Sequence, residues 1–295
     1  MTRVDRILVA TDFSDCGDRA FDVAVGWACR QGAELHLVHA VEYITNSIGS
    51  TTEPVIVDYI EQARQRASQR LHELAARARE SSLETIVHVI DAPVAEGIAR
   101  LSVDRAIDAI VVGSHGHKGL SHMWFGSVAE RIVRLAPCPV LVARGERSPL
   151  DPGTVVVGDD LTPAGKGVRE MAIDFARPSD AKLVVVHSLA LGIPYLSTVE
   201  VVVPNDIFDN CYARALEQLE EDAESTPEVE IENVVVSDRA AREIRERAEQ
   251  NNAGLVIVGS HARKGFERLV LGSVAEKVVR RATCSVLVVH RHATD

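Results

Sequence analysis

Residues 112–143 read VGSHGHKGLSHMWFGSVAERIVRLAPCPVLVA, and residues 258–289 read VGSHARKGFERLVLGSVAEKVVRRATCSVLVV. Set against each other without a gap at an offset of 146, they agree at 18 of 32 positions. Agreement of that order marks an internal duplication. The starts of the two halves correspond as well, now at an offset of 148. Ile7 to Asp12 answers Val155 to Asp160, and Leu35 to Ala40 answers Leu183 to Ser188. The two-residue change in offset falls in the middle of each half, where the sequences diverge. The 295 residues therefore divide into two domains, 1–146 and 147–295, joined through a stretch rich in Pro, Gly and charge from Arg144 to Gly153. Each is large enough to bury a core of its own.

Within each half, short apolar runs rich in β-branched residues alternate with segments of helical period. In the first half the strands are expected at 5–10, 34–40, 85–90, 108–113 and 139–143. The helical segment 15–31 sets Phe21, Ala24, Val25 and Ala28 on one face, and Gly32 suits its C-terminal cap. In the second half Thr162 and Pro163 supply an N-cap followed by a proline at the first helical position. Near-continuous apolar strands with intervening helices imply an α/β fold, a parallel sheet covered on both faces. The stretch 41–57 reads as a loop.

The bulk chemistry narrows the function classes. A net charge of −11 disfavours nucleic acid and anionic membranes as partners. Aromatic residues make up only 4%, too few for a base-stacking surface. No apolar run approaches a membrane span, and the N-terminal residues do not read as a signal peptide. Five cysteines without a CxxC pair fit a reducing compartment, so a cytoplasmic location is expected.

The sharpest chemical signal is the connection from the fourth strand to the fourth helix. It carries Gly113 and Gly116, then nine residues, then Gly126 and Ser127. A helix start offers unpaired N–H groups and the positive end of a dipole, which suit an anion. Gly126 would admit a phosphate close to the backbone, and the Ser127 hydroxyl can donate another hydrogen bond. The alternative is a tight turn with Ser127 as a helix cap. Ligands of doubly wound sheets bind at the carboxyl ends of strands where strand order reverses. If the first and fourth strands are neighbours, Asp12 faces this loop, either accepting hydrogen bonds from a ribose or base or capping the first helix together with Ser14.

The pattern G-x2-G-x9-G-S after a strand, with TDFS closing the first strand, resembles the ATP-binding branch of the universal stress protein family. The resemblance covers nearly all of both halves. It implies two tandem open parallel five-stranded sheets of order 3-2-1-4-5 with helices on both faces, an adenine-nucleotide alpha-hydrolase-like fold. It also implies that Asp12 and the backbone around Ala40 meet the adenosine, while Gly113, Gly116, Gly126 and Ser127 surround the phosphates. The implied ligand is ATP, ADP or AMP, with Mg²⁺ able to accompany the phosphates. Neither GxxxxGK[ST] nor a GxGxxG after a strand is present.

The second half departs from the pattern. Its equivalent positions are Asp160, Ser188, Gly259, Gly272 and Ser273, but Ala262 replaces the second glycine. A left-handed backbone there would cost about 1–2 kcal/mol with a methyl group. Asp159 places a second carboxylate beside Asp160, which makes the field less friendly to a polyphosphate, whereas Arg263 and Lys264 add positive charge. Nucleotide binding is expected in the first domain and left open in the second.

His115, His117 and His122 cluster in the first loop without a Cys or carboxylate to complete a metal set, so no metal site is expected. His39 and His187 hold equivalent strand ends, as expected of a shared structural hydrogen bond. Cys138 and Cys284, equivalent just before the fifth strand, read as small buried thiols. Segments 42–54 and 190–204 are candidates to cover the nucleotide sites or meet partners. The expected function is a cytoplasmic stress-response regulator that binds an adenine nucleotide. Its two domains would pair through their fifth strands as an internal pseudo-dimer; the resemblance implies that whole chains can dimerise again as a homodimer, which the sequence itself does not show. The alternatives are a slow ATPase or nucleotide hydrolase, and a nucleotide-free interaction scaffold.

Overall fold

The computed structural model of the chain describes residues 4–42, 54–115, 125–189, 205–237, 239–260 and 271–290. Two compact units divide it, the bulk of one being Thr2–Arg144 and that of the other Gly145–Lys264 with Gly272–Val286. The first unit runs β1 (Arg6–Ala10), α1 (Asp15–Gln31), β2 (Glu34–Ala40), α2 (Pro54–Arg79), β3 (Thr85–Ile90), α3 (Val94–Asp104), β4 (Ala109–Gly113), α4 (Ser127–Leu135) and β5 (Val140–Ala143). The second runs β6 (Thr154–Asp159), α5 (Pro163–Ala176), β7 (Lys182–Ser188), α6 (Asn205–Glu224), β8 (Ile231–Val236), α7 (Ala240–Gln250), β9 (Leu255–Gly259), α8 (Ser273–Arg281) and β10 (Ser285–Val289).

Strand order is β3-β2-β1-β4-β5 in the first unit and β8-β7-β6-β9-β10 in the second. β1 runs parallel to β2 and β4, with Ala10 level with both Val38 and Val112. β6 runs parallel to β7 and β9 in the same manner. The central strands are dry: Ile7, Leu8, Val9, Ile110 and Val111 are fully buried, as are Val155, Val156, Val157, Val256 and Ile257. Helices on both faces produce that burial, and it is why these strands read as continuous apolar runs rather than alternating ones.

The helix signals act as their chemistry requires. Ser14 accepts from the Gly17 N–H at the start of α1, and Gly32 ends it at φ 65° with its N–H on the Ala28 carbonyl. Phe21, Ala24 and Ala28 are buried on the α1 face together with Val23 and Trp27, while Val25 sits at the edge of that face, half-exposed. Thr162 caps α5 through the Gly165 N–H, with Pro163 in the first turn.

The change of offset between the halves now has a place. Ala67 and Leu71 of α2 match Ala215 and Leu219 of α6 at 148, all four buried. Leu83 and Thr85 match Val229 and Ile231 at 146. The difference therefore lies at the helix end. α6 stops at Glu224, ahead of Pro227, which cannot continue a helix and disfavours helical geometry in the residue before it.

Candidate functional site at the carboxyl ends of the central strands

The first unit reverses strand order between β1 and β4, so the chains leaving these two strands diverge to opposite faces and open a crevice. The β1 side of the crevice is a tightly tied turn. Asp12 Oδ1 accepts from the Ser14 N–H at 3.1 Å and from the Ser14 hydroxyl at 2.5 Å. Thr11 Oγ1 accepts from the Phe13 N–H at 2.9 Å. This holds Phe13 at φ 63°, a left-handed conformation that costs a bulky residue roughly 1–3 kcal/mol. Asp12 thus takes part in the turn while remaining half-buried at the strand end.

His39, next to the end of β2, locks the same turn. Its Nδ1 lies 2.8 Å from the Thr11 carbonyl oxygen, which can only accept, so Nδ1 carries the proton. The ring stacks on Phe13 with centroids 4.6 Å apart, and the Arg70 guanidinium lies 4.3 Å from the Phe13 ring centroid. Phe13, His39 and Arg70 form one stack drawn from the turn after β1, from β2 and from α2. Ala40, the last residue of β2, is level with Ile90 of β3.

The β4 side is built on close approach. A Cβ on Gly113 would lie 2.6 Å from the Cys16 carbonyl oxygen, so glycine lets the end of β4 touch the first turn of α1. Beyond it, Gly126 donates its N–H to the Ser114 carbonyl at 2.9 Å, and a Cβ there would meet that oxygen at 3.1 Å. The Gly126 backbone is extended, φ −65°, so what it needs is room rather than a left-handed turn. Gly126 is the N-cap of α4 and no side chain caps this end. Ser127 is exposed at the first helical position. The Ser127-as-cap alternative fails, and the start of α4 keeps its anion-favouring N–H groups. Gly116, His117 and His122 lie outside the described residues, as do segments 43–53 and 190–204.

The second unit repeats this construction. Gly272 donates to the Ser260 carbonyl at 2.7 Å and heads α8, again without a side-chain cap. Ser273 is exposed, Gly259 closes β9 and Ser188 closes β7. Asp160 Oδ1 accepts from the Thr162 N–H at 3.1 Å and hydroxyl at 2.6 Å. His187 Nδ1 donates to the Asp159 carbonyl at 2.9 Å, and Leu161 takes the left-handed place of Phe13 at φ 55°.

One expectation needs correction. Asp159 does not add an open negative charge beside Asp160. Its Oδ1 accepts from the Leu161 N–H at 2.7 Å, and its Oδ2 takes Arg169 Nε at 2.6 Å and a terminal guanidinium nitrogen at 2.5 Å. Arg169 also bonds Asp222 of α6. Ala262, Arg263 and Lys264 lie outside the described residues. Cys138 is buried, its thiol pushed up to about 12 chiefly by burial, which keeps it clear of thiolate chemistry; Cys284 is buried too.

Sequence reasoning missed the Phe13–His39–Arg70 stack and Arg169. The signal for Arg169 was present: at the offset of 148, Thr11 becomes Asp159 and Phe21 becomes Arg169 together.

The model of the universal stress protein family matches twice, at residues 3–144 and 153–290. The chain belongs to the universal stress protein family. A family member from Mycolicibacterium smegmatis is 31% identical over 298 residues, an alignment that covers 96% of each chain. Another, Rv2005c of Mycobacterium tuberculosis, is 33% identical over 196 residues, which is 64% of this chain and 63% of that relative's length. A universal stress protein from Archaeoglobus fulgidus shares the fold with a TM-score of 0.71 at 20% identity, covering 99% of this chain and 98% of that one. No helix among the described residues is long and apolar enough to cross a membrane.

Proposed function

We propose that this family member binds ATP or a related adenine nucleotide at the carboxyl ends of β1, β2 and β4, and acts as a nucleotide-dependent regulator in the stress response. The observation that carries this reading is the uncapped start of α4, which Gly126 ties to Ser114 just past Gly113, where β4 packs on the first turn of α1 at Cys16. The N–H groups at Ser127 and the following residues would take the phosphates. Asp12 and the Ala40 backbone would take the adenosine, in agreement with the resemblance to the ATP-binding branch.

The second unit repeats the Gly272–Ser260 bond, the uncapped helix start and the Asp160–Thr162 turn, and Arg169 compensates the charge of Asp159. A second nucleotide there is part of the proposal. Calorimetric titration of the full chain with ATP tests it. Saturable binding that Gly126→Asp removes from the first unit, and Gly272→Asp from the second, supports the reading. Absence of binding to the unaltered chain contradicts it.

A further inference from the structure

The second unit carries a cationic groove. It lies between α7 and α8 and encloses about 460 Å³. Arg239, Arg242 and Arg245 line it from the α7 side, with Lys277 and Arg281 from α8. The rest of its wall is small or apolar, including Val274. Five cationic residues therefore line one concave surface of a chain whose net charge is −11.

The carboxylates of the two helices offset this charge only in part, at Arg242. Glu246 accepts from Arg242 at 2.6 Å. Glu243 is paired with Arg247, and Glu276 with Arg280. Among the described residues, Arg245, Lys277 and Arg281 pair with no carboxylate. Arg245 Nε is buried with no hydrogen-bond partner among them. A buried donor without an acceptor and crowded like charges are both unfavourable until an anion arrives.

The internal repeat supplies the control. α3 and α7 correspond at an offset of 146, as do α4 and α8. At the five positions the first unit has Pro93, Glu96, Ala99, Arg131 and Leu135. There Glu96 and Arg131 form an ion pair, so that surface is close to neutral. The fold alone does not demand the cations of the second unit.

We propose that the groove between α7 and α8 binds a small polyphosphate anion through Arg245, Lys277 and Arg281, with Arg239 and Arg242 at its mouth. Guanidinium forks match phosphate oxygens in geometry and charge. The enclosed volume is that of a small-molecule site, and the overall negative charge works against an extended polyanion such as nucleic acid. Arg281 stands eight residues along α8 from Ser273, about 12 Å, so the Arg245–Arg281 end of the groove lies away from the phosphate loop, while Val274 brings its other end next to Ser273.

Titration of the full chain with inorganic tripolyphosphate tests the proposal. Tripolyphosphate should bind, and Arg245→Ala/Arg281→Ala should weaken it at least ~10-fold. Arg131→Ala in the first unit should leave that affinity unchanged. The thermal midpoint of the double variant without ligand checks that it is folded. The proposal is overturned if tripolyphosphate does not bind, or if its binding ignores the double substitution. It is equally overturned if these arginines govern binding of duplex DNA or anionic vesicles but not of tripolyphosphate.

Discussion

Arg169 and Asp159 form a buried ion pair in the second unit, with side chains only 8% and 0% exposed, where the first unit has Phe21 and Thr11. The third member, Asp222, stands where α2 has Leu74. One half of the duplication thus has an ionic triad where the other has Thr11, Phe21 and Leu74, all buried. The turn itself is unchanged, because Thr11 Oγ1 and Asp159 Oδ1 accept the same backbone N–H.

Breaking that pair from one side leaves an uncompensated buried charge. Arg169→Ala should destabilise the second unit by about 3–5 kcal/mol. Exchanging all three residues for those of the first unit (Asp159→Thr, Arg169→Phe, Asp222→Leu) should cost much less. Urea denaturation of the two variants checks the order, and equal losses would show that the pair is not coupled.

Ser127→Glu separates binding from folding. A carboxylate at the start of a helix adds about 0.3–1 kcal/mol of stability through the helix dipole. The same charge repels a phosphate at that position. ATP affinity should fall at least ~10-fold while the thermal midpoint of the unliganded protein holds or rises.

Gly113→Ala should act on both. Its methyl would meet the Cys16 carbonyl at 2.6 Å, backbone against side chain, and force α1 away from β4. We expect a loss of about 1–3 kcal/mol and weaker ATP binding, read by denaturation and calorimetry on the same preparation.

Acid should weaken the first unit selectively. His36 Nδ1 and His88 Nε2 are 2.9 Å apart and share one proton in a hydrogen bond between β2 and β3. Burial, then Arg105 and Arg6, lower His36 to about 4; burial, then His36 and Arg105, lower His88 to about 4 against the opposing pull of Glu34. The Glu34 carboxylate lies 3.0 Å from His36 Nε2, yet that nitrogen is without a hydrogen bond, so the contact does not offset burial. In the unfolded chain both rings titrate near the ordinary 6.5. The unfolded state therefore takes up protons first, and stability is lost as pH falls from about 6.5 towards 4. The second unit has Val184 and Val234 at these positions. His36→Val/His88→Val should flatten the pH dependence measured by denaturation between pH 7 and 4.

Much of the fold was legible because the chain states it twice. Short-range signals such as Ser14, Gly32 and Thr162–Pro163 act within a few residues, and the structure uses them as their local chemistry requires. The glycine loop was legible as an anion site, but the reason for Gly126 was not. Its constraint is the Ser114 carbonyl twelve positions earlier, a contact that exists only once the loop closes. Arg70 reaches Phe13 from a helix 57 residues away, and no pattern in either segment announces it. Arg169 was readable only by comparing the halves at the two substituted positions together.

The most direct test of nucleotide binding is native mass spectrometry of the freshly purified full chain, with Ser127→Glu as its partner sample. The account predicts an adenine nucleotide bound to the unaltered chain at one or two per chain, with one fewer in the variant. A bare chain whose melting temperature also fails to rise with saturating ATP would contradict it.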